Sequence, residues 1–275
     1  MSADRYVSFV ISPSDHGTLI VSRNDYAKND HGTIGVGAQI LRRQSYDKDE
    51  IKLVLDLLSK RRQLYQQHII AIDCGANIGI HTLEWARHMC GWGEVHAFEA
   101  QERIFYALAG NVAINNCFNA RVFWSAIGER VGKIRVPHIN YFAPGSYGSL
   151  ELKQSEDNED IGQPINYDAE STYEVDMVSI DSLKLPKVDF IKFRGLLGSA
   201  APLYFVDSTG FQQAASQKGL FDGLPNPFGG GGAKPKPKKP SAGGNLKLPN
   251  PFGGAIEALL PPNRNDNFMG SEPVT

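Results

Sequence analysis

"AIDCGANIGI", residues 71–80, sets two glycines four apart with an acid two residues before the first. Such a turn either cradles a ligand or merely ends a strand, and the flanking sequence separates the two readings. Upstream, "HIIAID" (68–73) is a short apolar run that reads as a buried strand. Downstream, "IGIHTLEWARHM" (78–89) reads as a helix and "EVHAFEA" (94–100) as a second strand carrying Glu99. Strand, glycine turn, helix and acid-ended strand form the arrangement an adenosine cofactor requires. Gly75 and Gly79 let the backbone approach a ligand that any Cβ would push away. The helix beginning near Ile78 is expected to direct its free N–H groups at the cofactor. Glu99 stands about 20 residues beyond the turn, where a carboxylate can accept both ribose hydroxyls.

The spacing also selects among adenosine cofactors. A dinucleotide fingerprint needs three glycines to admit a pyrophosphate. Here the positions are Asp73, Gly75, Asn77 and Gly79, so the third glycine is absent. An acid on the strand before the turn would repel a pyrophosphate. It suits the ammonium of S-adenosylmethionine, and the residues favour a methyl donor over NAD.

Outward from this centre the chain alternates helical and strand patterns, which predicts an α/β domain with a doubly wound, mostly parallel sheet. "DEIKLVLDLLSKRRQLY" (49–65) reads as a helix with Ile51, Leu53, Val54, Leu57 and Leu58 on one face. "QERIFYALAGNVAINN" (101–116) reads as a helix and "RVFWSAIG" (121–128) as a third strand. "KIRVPHI" (133–139) and "TYEVDMVSI" (172–180) read as hairpin strands, and "KVDFIKF" (187–193) as a further buried strand. Three zones result: a β-rich N-terminal cap (1–45), a Rossmann-like domain (46–221, incomplete after about 193), and a Gly/Pro-rich tail (222–275) expected to be disordered. The tail carries "LPNPFGG" twice around "KPKPKKP", either a Phe-centred docking motif or low-complexity drift. "DHGT" also occurs twice, at Asp15–Thr18 and Asp30–Thr33, and reads either as metal-binding histidines or as Asp-initiated turns.

A length of 275 residues is enough for a sizeable core, and a net charge of -2 gives no global pull toward nucleic acid or an acidic membrane. Three cysteines, Cys74, Cys90 and Cys117, fit a reducing cytoplasm better than a disulfide framework or a metal site. No run approaches about 18 apolar residues. A soluble, cytoplasmic protein without resident metal, nucleic-acid or membrane partner is expected.

Residues 71–121, with "PGSYGSLEL" (144–152) and "VSIDSLKLPKVDFIK" (178–192), resemble the FkbM family of S-adenosylmethionine-dependent methyltransferases. The resemblance runs from about residue 30 to 192. It implies a class I methyltransferase fold and methyl transfer, usually to an oxygen on a small molecule or glycan. It assigns Asp73, Gly75, Asn77 and Gly79 to the cofactor loop, Glu99 to the ribose, and Ser125 and Ala126 to the adenine pocket. It ends abruptly. Where the family continues with an acid and a Val-Glu-Gly turn, this chain has Arg194 and Leu196. Two carboxylates are lost at the substrate edge, and the remaining family strands have no counterpart beyond "PLYFVDS" (202–208).

An oxygen nucleophile usually wants a base, because a neutral hydroxyl attacks poorly. His81 near the helix start, His138 after "KIRVP" and Lys192 at the end of its strand are the candidates, each with a structural reading beside it. Two functions follow: an O-methyltransferase, or an inactive remnant whose tail serves interactions. The strand at 187–193 is also expected to lie at a poorly covered sheet edge, exposing Phe190 and Phe193 to self-association.

Overall fold

The computed structural model describes residues 6–29, 32–156, 158–193 and 203–205. Two antiparallel pairs open the chain: β1 (Phe9–Ser14) with β2 (Gly17–Ser22), and β3 (Ala27–Asn29) with β4 (Gly32–Ile34). Two helices follow, α1 (Val36–Arg43) and α2 (Lys48–Tyr65). The central alternation is β5 (Ile69–Cys74), α3 (Ile80–His88), β6 (Gly93–Glu99), α4 (Glu102–Ile114) and β7 (Ala120–Trp124). Then come β8 (Ala126–Ile127), β9 (Gly132–Pro137), β10 (Thr172–Val178), β11 (Phe190–Phe193) and β12 (Leu203–Phe205).

The main sheet runs β12-β11-β5-β6-β7. β11, β5, β6 and β7 are parallel, and β12 closes the order antiparallel to β11. β5 pairs with β6 from Ile69↔Gly93 to Cys74↔Phe98, as short right-handed βαβ crossovers require. All six residues of β5 are buried, which is why it reads as an unbroken apolar run rather than an alternation. One sheet face carries Ile69, Ala71, Val95 and Phe190 in a core with Val54, Leu58, Leu83 and Trp85 of α2 and α3. Its other face, with Ile72, Cys74, Phe98 and Ile191, packs on Ile127, Val178, Ile180, Leu183, Leu185 and Val188. The result is an α/β architecture on a parallel central sheet.

Several local expectations change. Within α2, Ile51, Val54 and Leu58 face inward while Leu53 is half exposed. Two residues of helix rotate a side chain by about 200°, so Leu53 cannot share the face of Ile51. "RVFWSAIG" is not one strand. It breaks at Ser125, and β8 joins a separate sheet of order β8-β10-β9. Phe190, expected at a poorly covered edge, is 1% exposed and meets the Trp85 ring edge-on at 5.2 Å. α3 covers it, and β12 pairs on the other side of β11. The helix α1 occupies a stretch of the β-prone N-terminal zone. Arg194, Leu196 and the tail at 222–275 lie outside the described residues.

The first "DHGT" proves to be a staple. Ser14 Oγ accepts the His16 amide at the turn. Buried His16 meets Glu84 of α3 through Nδ1 at 2.7 Å, and its Nε2 accepts the Tyr46 N–H at 2.9 Å. An Nε2 that accepts carries no proton, so Nδ1–H donates to the carboxylate. Asp30 and His31 of the second copy lie outside the described residues.

Candidate active site

Between β5 and α3 the backbone takes positive φ at every second residue: Gly75 (71°), Asn77 (52°) and Gly79 (90°). Asn is among the few residues that tolerate this region, which explains the Gly-x-Asn-x-Gly spelling. A Cβ on Gly79 would stand 2.5 Å from Leu108 Cδ1, so the turn also requires close approach to α4. The loop's amides are spoken for. Gly75 and Ala76 both donate to the Phe98 carbonyl, Gly79 donates to Ala76, and Ile78 donates to the Asn77 side chain at 2.6 Å. The expectation that N–H groups from Ile78 onward turn toward a ligand is therefore corrected for Ile78 and Gly79. The loop is instead a self-satisfied, preformed scaffold.

Glu99, at the end of β6, is 5% exposed and braces that scaffold. Oε2 accepts the Asn77 N–H and Oε1 the Gln101 N–H, both at 2.9 Å. Each carboxylate oxygen has a second lone pair, so capacity for two hydroxyl donors remains. Burial pushes the Glu99 carboxyl above its ordinary value, and the amides of Gln101 and Asn77 oppose that rise. Asp73, one residue before the end of β5, is 1% exposed. Its Oδ2 accepts from Thr82 Oγ1 at 2.7 Å, whereas its Oδ1 is buried with no hydrogen-bond partner among the described residues. A buried acceptor left so is costly unless a donor arrives, and an ammonium is such a donor. Ser125 and Ala126, both buried, follow directly on β7, whose last residue Trp124 pairs with Glu99. The C-terminal ends of three adjacent strands thus bring together Asp73, Gly75, Asn77, Gly79, Glu99, Ser125 and Ala126.

The base candidates separate. Lys192 on β11 is 2% exposed and pairs in register with Asp73. His81, the second residue of α3, is 4% exposed, with its ring 5.8 Å from Trp85 and 6.4 Å from Tyr46. Both reach one carboxylate oxygen, Oε1 of Glu50 in the first turn of α2, at 3.8 Å from His81 Nε2 and 3.9 Å from Lys192 Nζ. Glu50 escapes sequence reading because an acid in a helix's first turn is adequately explained by the helix dipole. His138 is exposed one residue beyond β9, its ring 5.0 Å from Tyr173.

A tyrosine cluster near Glu99 also went unread, because its members lie far apart in sequence. Gln101 links Glu99 to the Tyr147 carbonyl through its Nε2 at 2.9 Å, and the Glu102 amide donates to the Tyr173 hydroxyl at 3.1 Å. Burial pushes the phenols of Tyr147 and Tyr173 up to about 12 and that of Tyr141 higher still. These phenols stay protonated at neutral pH and are not bases: those of Tyr141 and Tyr147 donate to Gln101 Oε1 and the Ala143 carbonyl, and that of Tyr173 accepts the Glu102 amide. Burial likewise raises the Cys74 thiol well above its ordinary value, with the Asp73 charge adding to the rise, so no thiolate nucleophile forms there.

The parallel sheet, with an acid-flanked glycine turn after β5 and an acid closing β6, agrees with the α/β fold that the sequence resemblance implies. Residues 73–193 match the family model of the methyltransferase FkbM domain. No curated protein matches the sequence. Among solved structures, the chain is similar to methyltransferase FkbM from Methylobacillus flagellatus KT, with 17% identity, 45% of this chain, 25% of that chain and a TM-score of 0.28. It is similar to a SAM-dependent methyltransferase from Agrobacterium tumefaciens, with 9% identity, 45% and 34% coverage and a TM-score of 0.29. It is also similar to a SAM-dependent O-methyltransferase from Thermotoga maritima, with 12% identity, 44% and 57% coverage and a TM-score of 0.26. The matched region spans between a quarter and just over half of those chains. Among the described residues no helix is long and apolar enough to cross a membrane.

Proposed function

We propose that this protein is an S-adenosylmethionine-dependent methyltransferase that acts on a hydroxyl group of a small molecule or glycan. The observation that carries the reading is Asp73: a buried carboxylate oxygen without a partner among the described residues, at the edge of a preformed positive-φ loop. In this reading Asp73 holds the cofactor's ammonium and Glu99 its ribose hydroxyls. Gly75, Asn77 and Gly79 form the loop around it, and Ser125 and Ala126 line the adenine. When bound, the cofactor supplies a methyl group on a sulfonium, a leaving group that needs no activation. The chain's own work is alignment of acceptor and methyl carbon, which can supply about 7–11 kcal/mol, and removal of the acceptor's proton.

The test is incubation of the full chain with isotope-labelled S-adenosylmethionine and a panel of hydroxylated small molecules and methyl glycosides, with products read by mass spectrometry. The expected result is an acceptor heavier by one methylene unit, its label on oxygen. Methyl transfer confined to nitrogen or carbon acceptors would overturn the oxygen assignment. Cofactor binding without transfer to any acceptor would favour the remnant reading, which the loss of two carboxylates to Arg194 and Leu196 motivates.

A further inference from the structure

Asp73 and Thr82 stand at the two ends of the loop, one near the end of β5 and the other in the first turn of α3. Side chains alternate along a strand, so Asp73 shares the sheet face of Ile69 and Ala71, which α3 covers. Thr82 is 0% exposed, and its Cβ lies 3.9 Å from where a Cβ on Gly79 would stand. A helical threonine can turn its single hydroxyl proton to solvent or to the carbonyl four residues back. Solvent is out of reach here, and that carbonyl, of Ile78, accepts Asn111 Nδ2 at 2.8 Å. Thr82 Oγ1 donates instead to Asp73 Oδ2 at 2.7 Å, across the whole loop. The other oxygen, Oδ1, is buried with no hydrogen-bond partner among the described residues. We propose that Thr82 is a positioning residue: by holding Oδ2 it fixes the Asp73 carboxylate and keeps Oδ1 for the ammonium of the cofactor. The inference rests on the S-adenosylmethionine reading of the site.

The chemistry needs such a residue. The terminal torsion of an aspartate is broad, so a carboxylate held by neither oxygen can swing and present either one. A hydrogen bond to one oxygen removes that freedom. A hydroxyl suits the task because it brings no charge: the carboxylate keeps its negative charge for the ammonium, which a lysine or arginine at position 82 would neutralise. The short separation, 2.7 Å, is typical of a hydroxyl donating to a charged acceptor. Branching at Cβ further restricts the threonine side chain on its helix. The bond also serves only one end of the cofactor. Thr82 gives its one proton to Asp73, whereas Glu99 is held by the amides of Asn77 and Gln101. The amino-acid end and the ribose end thus rest on separate hydrogen bonds, and loss of the Thr82 hydroxyl should be felt at the first alone.

The test is isothermal titration of the full chain with two ligands, S-adenosylhomocysteine and methylthioadenosine, the same nucleoside thioether without the amino-acid end. Thr82→Val removes the hydroxyl at nearly constant shape, and Thr82→Ala is read in the same way should the first variant not fold. Thr82→Val should weaken S-adenosylhomocysteine binding about tenfold or more, since the carboxylate loses a hydrogen bond that sets its geometry. Methylthioadenosine offers Asp73 no ammonium and should bind the variant as it binds the wild type. Thr82→Ser keeps the hydroxyl and should restore most of the loss. Equal weakening of both ligands would mark Thr82 as merely structural. Unchanged or tighter S-adenosylhomocysteine binding in Thr82→Val would mean that the hydroxyl does not position the carboxylate. Either result overturns the inference and leaves the cofactor reading standing. A wild type that binds neither ligand would overturn the cofactor reading itself, and the inference with it.

Discussion

Glu99 has two roles in this reading: its oxygens hold the amides of Asn77 and Gln101, and a second lone pair on each oxygen is left for the proposed ribose. Hydrogen bonds to a charged acceptor contribute about 1.5–3 kcal/mol each, so Glu99→Ala should weaken S-adenosylhomocysteine binding by about 2 kcal/mol or more in isothermal titration. An unchanged dissociation constant would remove Glu99 from the site. Burial also gives this residue a pH signature. Its folded-state carboxyl titrates above the ordinary 4.5, so the folded protein holds the proton to higher pH than the unfolded chain. Stability therefore falls as pH rises from 4.5 through the folded value and is flat above it. Glu99→Gln cannot ionise. Urea denaturation should show the variant-minus-wild-type stability rising across that window, whatever constant offset the lost N–H acceptor imposes. A difference that does not vary with pH would mean that Glu99 is not desolvated.

At the scale of elements, α2 is held to the sheet by one buried carboxylate. Asp189, 1% exposed just before β11, accepts the Ile70 N–H at 2.9 Å, Arg61 Nε at 3.1 Å and Lys187 Nζ at 3.1 Å. Removing one member of a buried, hydrogen-bonded charge group costs about 3–5 kcal/mol, so Asp189→Ala should lower unfolding stability by that amount. A loss of less than about 1 kcal/mol would show the clamp to be incidental. The clamp ties residues 61, 70 and 189, which no local pattern connects. β5 was legible as an unbroken apolar run closed by a glycine turn, and α3, β6 and α4 by apolar patterns that give way to polar or acidic residues. The turn at Asp73, Gly75, Asn77 and Gly79 was readable as a turn because these residues are contiguous, whereas Ser125 and Ala126 entered only through the family resemblance. The break at Ser125 was not legible. "FWSAIG" is β-prone throughout, and only pairing of Ala126 and Ile127 with Met177 and Val178 reveals the change of sheet. Glu50 was unreadable on the same ground, since its meaning depends on two residues 31 and 142 positions away.

For the whole molecule, the main sheet ends on one side at β12, which takes a single neighbour among the described residues. An unpaired strand edge is a template for another chain. The protein is expected to self-associate through that edge as its concentration rises, with sedimentation velocity showing a faster species grow in at the expense of the monomer. A monomer persisting at high concentration would exclude it. Everything proposed for function, however, turns on whether the loop at Asp73–Gly79 holds a methyl donor. Isothermal titration of the full chain with S-adenosylhomocysteine tests this directly. Saturable binding of one molecule per chain is expected, accompanied by a higher melting temperature, since a ligand held only by the folded state stabilises it. Absence of both binding heat and thermal shift at saturating ligand would contradict the account at its centre.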